Sequence, residues 1–158
     1  MGRAEAPCGQ LAKHPGGLDE PHYPRQQAAR LVGIVFLLVG IAGFIPGITT
    51  NLYDGLNFAG DGGDAELLGL FQVSVLHNIV HALFGVGIVM AATPEGARTF
   101  LIGSGVIYIV LFLLGIIGGG DWVPINSADN WLHLGLAVGL LALGLGLTRD
   151  RDHTVATT

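Results

Sequence analysis

The chain has 158 residues, of which 51% are hydrophobic and only 12% charged, and its mean hydropathy is +0.61. Soluble domains carry about 25% charged residues, so this composition excludes an ordinary soluble globular domain and points to an integral membrane protein. A net charge of -5 with no basic cluster excludes a nucleic-acid binder, and the single cysteine, Cys8, leaves no intrachain disulfide.

Residues 1–24 hold four prolines and four glycines with few large apolar groups, which predicts a disordered tail. No apolar run precedes Cys8, so a lipoprotein or secretory leader is not expected. Four apolar runs follow, at about 28–45, 73–92, 97–117 and 128–147. They stop at Pro46-Gly47, Thr93-Pro94, Gly118-Gly119-Gly120 and Thr148-Arg149. Each is about 18–21 residues, enough to cross roughly 30 Å of hydrocarbon at 1.5 Å per residue. Helices are expected, because backbone groups in lipid must be satisfied within the segment. The loop at 46–72 is the largest connection. Its Gly60-Asp61-Gly62-Gly63-Asp64 stretch predicts a turn in a solvated loop, and its spacing fails the EF-hand pattern. The tail at 149–158 resembles the first in character.

All seven basic residues, Arg3, Lys13, Arg25, Arg30, Arg98, Arg149 and Arg151, fall in the tails or their junctions, or between the second and third runs. The positive-inside rule then predicts that both termini are cytoplasmic. Asp54, Asp61, Asp64, Glu66 and Asp121 fall in the other two loops, on the external side, and Trp122 and Trp131 suit an aromatic belt there.

The runs are related in pairs. Aligning His77 with Asp129 also aligns Asn78 with Asn130, His81 with His133 and Gly87 with Gly139. Leu37-Leu38-Val39-Gly40-Ile41-Ala42-Gly43 likewise resembles Phe112-Leu113-Leu114-Gly115-Ile116-Ile117-Gly118. This pattern predicts two helical hairpins in a parallel repeat, with a longer first loop. The expected architecture is an all-α, four-helix integral membrane bundle. Among its 26 glycines, Gly135-x-x-x-Gly139 is a small-xxx-small pattern that suits close packing, within the chain or between copies.

The repeat carries the polar motif [H/D]-N-x-x-H, as His77-Asn78-Ile79-Val80-His81 and Asp129-Asn130-Trp131-Leu132-His133. Ionisable groups in a membrane span are costly and raise a functional question. Residues at i and i+4 share a helix face, so His77, His81, Asp129 and His133 are candidate ligands for zinc or another transition metal. Asn78 and Asn130 would support them from behind. A b-type haem between His81 and His133 is a second chemistry, and a proton or ion path a third. The path is poorly supplied, since Ser104 and Tyr108 are the main polar groups deeper in the runs. The simplest reading is a structural polar cluster, with Asp129 favouring the helix dipole and Asn126 or Ser127 as its N-cap.

Several ordered segments resemble a known family. They are Gly43-Phe44-Ile45-Pro46-Gly47, then Gly69-Leu70-Phe71-Gln72-Val73 leading to Leu76–His81, then Asp121–Pro124 followed by Asn126–His133. Together they resemble the bacterial, largely actinobacterial membrane family called domain of unknown function 4383, over about residues 28–147. The resemblance implies a four-span membrane protein and brings no activity or assigned catalytic residue.

No nucleophile–base set and no phosphate-binding glycine loop stand out. The expected function is therefore that of a small, non-enzymatic accessory or interaction protein of the cytoplasmic membrane. Its partners would be the bilayer and either further copies of itself or a larger membrane complex. The alternative is a metal- or haem-binding redox membrane protein.

Overall fold

A computed structural model describes residues 23–118 and 123–147. Most of the expected N-terminal tail, the C-terminal tail, Cys8, Asp121 and Trp122 lie outside the described residues. The described chain is mostly helical. Helix α1 runs Pro24–Ala42, α2 Leu52–Gly55, α3 Val75–Phe84, α4 Gly87–Met90, α5 Pro94–Ile117 and α6 Ser127–Gly146. Strands β1 (Thr49–Thr50), β2 (Glu66–Leu67) and β3 (Phe71–Gln72) lie between α1 and α3.

Local chemistry explains most helix ends. Proline opens α1 and α5, where its missing N–H costs nothing and its φ already suits a helix. Thr93 caps α5 by accepting from the Gly96 N–H at 3.0 Å, and Gly118 ends it in the left-handed region at φ 73. Ser74 caps α3, accepting from the His77 N–H at 3.2 Å.

Three helices, α1, α5 and α6, are long and apolar enough to cross a membrane. The second apolar run is not a continuous helix of that length. It forms a shorter segment, Val75–Met90, divided between α3 and α4. The Gly85, Val86, Ile88 and Val89 amides bond back three residues, to Ala82, Leu83, Gly85 and Val86. This tightening to 3₁₀ geometry breaks the α-helical ladder. Neighbouring backbone presses on the same place. A Cβ on Gly33 of α1 would lie 2.7 Å from the Ile88 nitrogen, and one on Gly87 would strike the Phe100 ring.

Helix α1 packs on α3, α4 and α5, and α5 packs on α6. The core between them holds Ala29, Phe36, Phe100, Leu101, Tyr108, Ala137 and Leu140. Aromatic contacts organise it: Phe36 stacks on Tyr108 at 5.7 Å and meets Phe84 edge-on at 5.4 Å. Outside this core, large apolar side chains point outward along every long helix. Leu31, Leu38, Leu113, Val138 and Leu145 are all more than half exposed. Such continuous apolar surface suits lipid and not water.

The expected solvated loop at 46–72 is instead an ordered cap. Its strands form an antiparallel sheet in the order β1-β2-β3, with Thr49 opposite Leu67 and Leu67 opposite Phe71. Beneath it Ala65, Leu67 and Val73 make a second small core. The cap also satisfies helix-end groups. Thr49 Oγ1 donates to the Ala42 carbonyl at 3.1 Å. The Val75 and Leu76 amides donate to Asn57 and Phe58, each at 2.9 Å. Gln72 Nε2 pins the glycine-rich stretch by donating to the Asp61 and Gly63 carbonyls.

The β2–β3 turn stores strain at Leu68, whose φ is +57. A left-handed conformation costs a side-chain-bearing residue about 1–2 kcal/mol, and asparagine tolerates it better. Leu68 is 71% exposed, so little packing opposes its replacement. Leu68→Asn is expected to stabilise the protein by about 1 kcal/mol, read as a higher melting temperature in detergent. A lower one would show that the leucine contributes contacts that outweigh the strain.

Candidate functional site

The polar motif is assembled where the cap meets the starts of α3 and α6. Asn126 and Asp129 form a reciprocal capping box at the start of α6. The Asp129 N–H donates to Asn126 Oδ1 at 2.9 Å, and the Asn126 N–H donates to Asp129 Oδ2 at 3.1 Å. Ser127 is exposed and is the first helical residue, so Asn126 is the cap and Ser127 is not. The box also grips the cap. Asp129 Oδ2 accepts a second backbone N–H, from Gln72 at 3.0 Å, and Asn126 Nδ2 donates to the Leu70 carbonyl at 2.8 Å. With 3% exposure, Asp129 is a buried carboxylate committed to two backbone donors.

The histidines lie deeper. His77 and His81 lie together on one face of α3, ring centroids 4.4 Å apart and planes tilted by 31°. His81 also meets Phe36 edge-on at 5.6 Å. His133, 3% exposed, lies 5.3 Å from the Tyr108 ring. His77, His81 and His133 together line a cavity of about 190 Å³, with Ser74, Tyr108 and apolar side chains. The same three histidines, with Asn78, Asp129, Leu67 and Phe71, line a second cavity of about 130 Å³ beneath the cap. They therefore form a wall common to both spaces.

His77, His81 and His133 thus share the walls of both cavities, and Asp129 joins them only in the second. The expected metal set is not assembled. Among the described residues, no group of three or more His, Cys, Asp or Glu side chains is placed to hold a metal ion. Asp129 Oδ2 is engaged by two backbone amides, and Asp129 lines only the second of the two cavities that the histidines share.

The two asparagines have different surroundings. Asn78, 1% exposed, tucks against Gly43 at the C-cap of α1, where any side chain at residue 43 would overlap its amide. Asn130 sits against Gly115 of α5 in the same manner. It lines neither cavity. Trp131 is 70% exposed near the start of α6. Gly135 and Gly139 face outward, with nothing within 4 Å of an added Cβ, so they take no part in packing within the chain.

Sequence reasoning missed Gln72, whose backbone and side chain both tie the cap down, and Gln26. Gln26 Nε2 donates to the Ala91 and Ala92 carbonyls at the end of α4, at 3.0 and 3.1 Å. Neither lies in a repeated motif, and both pair with groups far away in the chain. The histidine nitrogens offer the site's remaining chemistry. Nδ1 of His81 and of His133 are buried without a hydrogen-bond partner, as are Asn78 Nδ2 and Asn130 Oδ1.

No curated protein and no solved structure matches the chain. The family model described as a domain of unknown function (DUF4383) matches residues 26–146. That span runs from Gln26 in the first turn of α1 to the end of α6 and takes in the cap and both copies of the polar motif, and the chain belongs to this family.

Proposed function

We propose that this protein is a non-enzymatic accessory or interaction protein of a bacterial cytoplasmic membrane, whose polar cluster locks the cap onto α3 and α6. The carrying observation is the Asp129 carboxylate, buried and bonded to the Gln72 and Asn126 amides. A carboxylate oxygen used this way is a fastener between the cap and α6. In this reading the chain crosses four times with both termini cytoplasmic, as the distribution of basic residues supports. Val75–Met90 is the short crossing, roughly 24 Å at 1.5 Å per residue, completed by flanking residues and by the longer rise of its 3₁₀ turn. The cap then faces outward.

Two hairpins related by a repeat also fit. Helix α1 packs on α3 as α5 packs on α6. In each pair a glycine in or just after the first helix makes room for the motif asparagine of the second, Gly43 for Asn78 and Gly115 for Asn130, although the repeat aligns Gly43 with Gly118 and Gly40 with Gly115.

Two measurements test this. Full-length protein purified in detergent under metal-replete conditions is expected to hold far less than stoichiometric metal and to show no Soret band. Stoichiometric metal or a Soret band would overturn the structural reading in favour of the redox alternative. Single cysteines at Asp61 and Glu95, in a chain with Cys8→Ser, should react with an impermeant maleimide from outside and inside respectively. The reverse pattern would overturn the orientation.

A further inference from the structure

The 190 Å³ cavity has no part in fastening the cap, and its walls describe an occupant. Apolar groups from α3 and α5 form most of it, including Phe84, Ile107 and Leu111. No carboxylate, lysine or arginine lines it, so nothing there would neutralise a charged ligand. Polarity is confined to Ser74, Tyr108 and the three imidazoles. Two of those imidazoles, His81 and His133, keep Nδ1 fully buried behind the cavity wall and without a hydrogen-bond partner. A buried polar atom left unpaired is unfavourable, and turning the ring to present that nitrogen to a hydrogen-bonding ligand in the cavity removes the penalty.

Size narrows the class. A cavity of about 150 Å³ accommodates a benzene ring, so this one holds a single six-membered ring with small substituents. Access narrows it further. Leu76, Val80 and Ile107 line the cavity and are 42%, 40% and 47% exposed on the apolar outer surface of the helices. In a bilayer that surface meets lipid, so entry is lateral.

We propose that this cavity binds a neutral single-ring phenol or quinol, which enters from the lipid phase, packs its ring against Phe84 and Leu111, and hydrogen-bonds to His81 and His133. The proposal does not depend on the accessory role argued above. The ring chemistry has two sources, a free phenolic compound or the head group of a prenylated quinol.

The test uses the full chain in detergent with p-cresol and p-xylene, which share a ring and nearly a volume but differ by one hydroxyl. Binding is read as saturable protection against thermal unfolding, with Val80→Trp as the variant that fills the cavity. Wild type is expected to bind p-cresol about tenfold more tightly than p-xylene, the factor that about 1.4 kcal/mol supplies. Val80→Trp should remove the protection by both. His81→Phe/His133→Leu should bring the two probes to similar affinity if the imidazoles provide the selectivity. Equal binding of both probes by wild type, absence of saturable protection, or undiminished protection in a folded Val80→Trp variant would overturn the proposal. So would unchanged selectivity in the double-histidine variant. Within a positive result, hydroquinone and its mono-isoprenyl derivative separate the sources. Tighter binding of the prenylated form supports a membrane-borne ligand, and equal or weaker binding supports a free phenolic.

Discussion

Gly40→Leu is expected to abolish recovery of folded protein, whereas Gly139→Leu should leave stability nearly unchanged. Both glycines lie in apolar helices, and hydropathy does not distinguish them. Their surroundings do. A Cβ on Gly40 would lie 2.5 Å from the Ala82 nitrogen and 2.6 Å from the Asn78 carbonyl oxygen. Both are backbone atoms of α3, so no rotamer change relieves the overlap and the helices must separate. Separation would also pull Asn78 from its place against Gly43 and disturb the contact of Phe36 with His81. Overpacking a tight core costs about 1–3 kcal/mol where side chains can yield, and here backbone must yield, so at least about 3 kcal/mol is expected. Gly139 has nothing within 4 Å, and its replacement should stay within about 0.5 kcal/mol. Gly115→Leu should fall between them, because the atoms it meets belong to the Asn130 side chain and Ile125. Recovery of monodisperse protein and its melting temperature in detergent give the order. A Gly40→Leu protein that melts like wild type would show that α1 and α3 are not in such close contact. Gly40→Ala, which introduces the overlapping Cβ alone, keeps the comparison measurable if the leucine variant is not recovered.

These glycines also show what a sequence of this kind reveals. The ends of α5 and α6 were legible because they are local: Thr93-Pro94 and Asn126-x-x-Asp129 satisfy their own backbone. The shared face of His77 and His81 was legible from their spacing, and the meeting of His133 with them from the repeat. The break at Gly85–Gly87 was not, since valine and glycine keep the run apolar and the cause lies partly across the helix contact at Gly33 and Phe100. The cap was illegible for a different reason. Strands of two residues leave no alternation to detect, and the bonds that order them join residues far apart. The small-xxx-small pattern at Gly135 and Gly139 misdirects if taken as internal packing, because spacing alone does not say which face is turned inward.

The same distinction between local and distant bonds separates two variants at Asp129. Its capping role is local, but its bond to the Gln72 amide spans 57 residues and holds the cap to α6. Asp129→Ala would leave two partly buried N–H donors, those of Gln72 and Asn126, without their acceptor. Each orphaned group costs about 1–3 kcal/mol, so a total loss of about 3–5 kcal/mol is expected once the weakened cap of α6 is included. Asp129→Asn retains an amide oxygen able to accept from both donors and should lose only about 1–2 kcal/mol. Combining Asp129→Ala with Asn126→Ala should cost less than the sum of the separate losses, because the two side chains serve one box. Amide exchange locates the effect: β2, β3 and the Gln72 N–H should lose protection first, while α5, held by its own core contacts, should not. Equal losses for alanine and asparagine would instead make the negative charge the essential property. A loss relative to wild type that disappears when a chelator is added would make Asp129 a metal ligand. A graded loss, insensitive to chelator and concentrated in the cap, is the signature of a carboxylate working as an acceptor for two backbone amides.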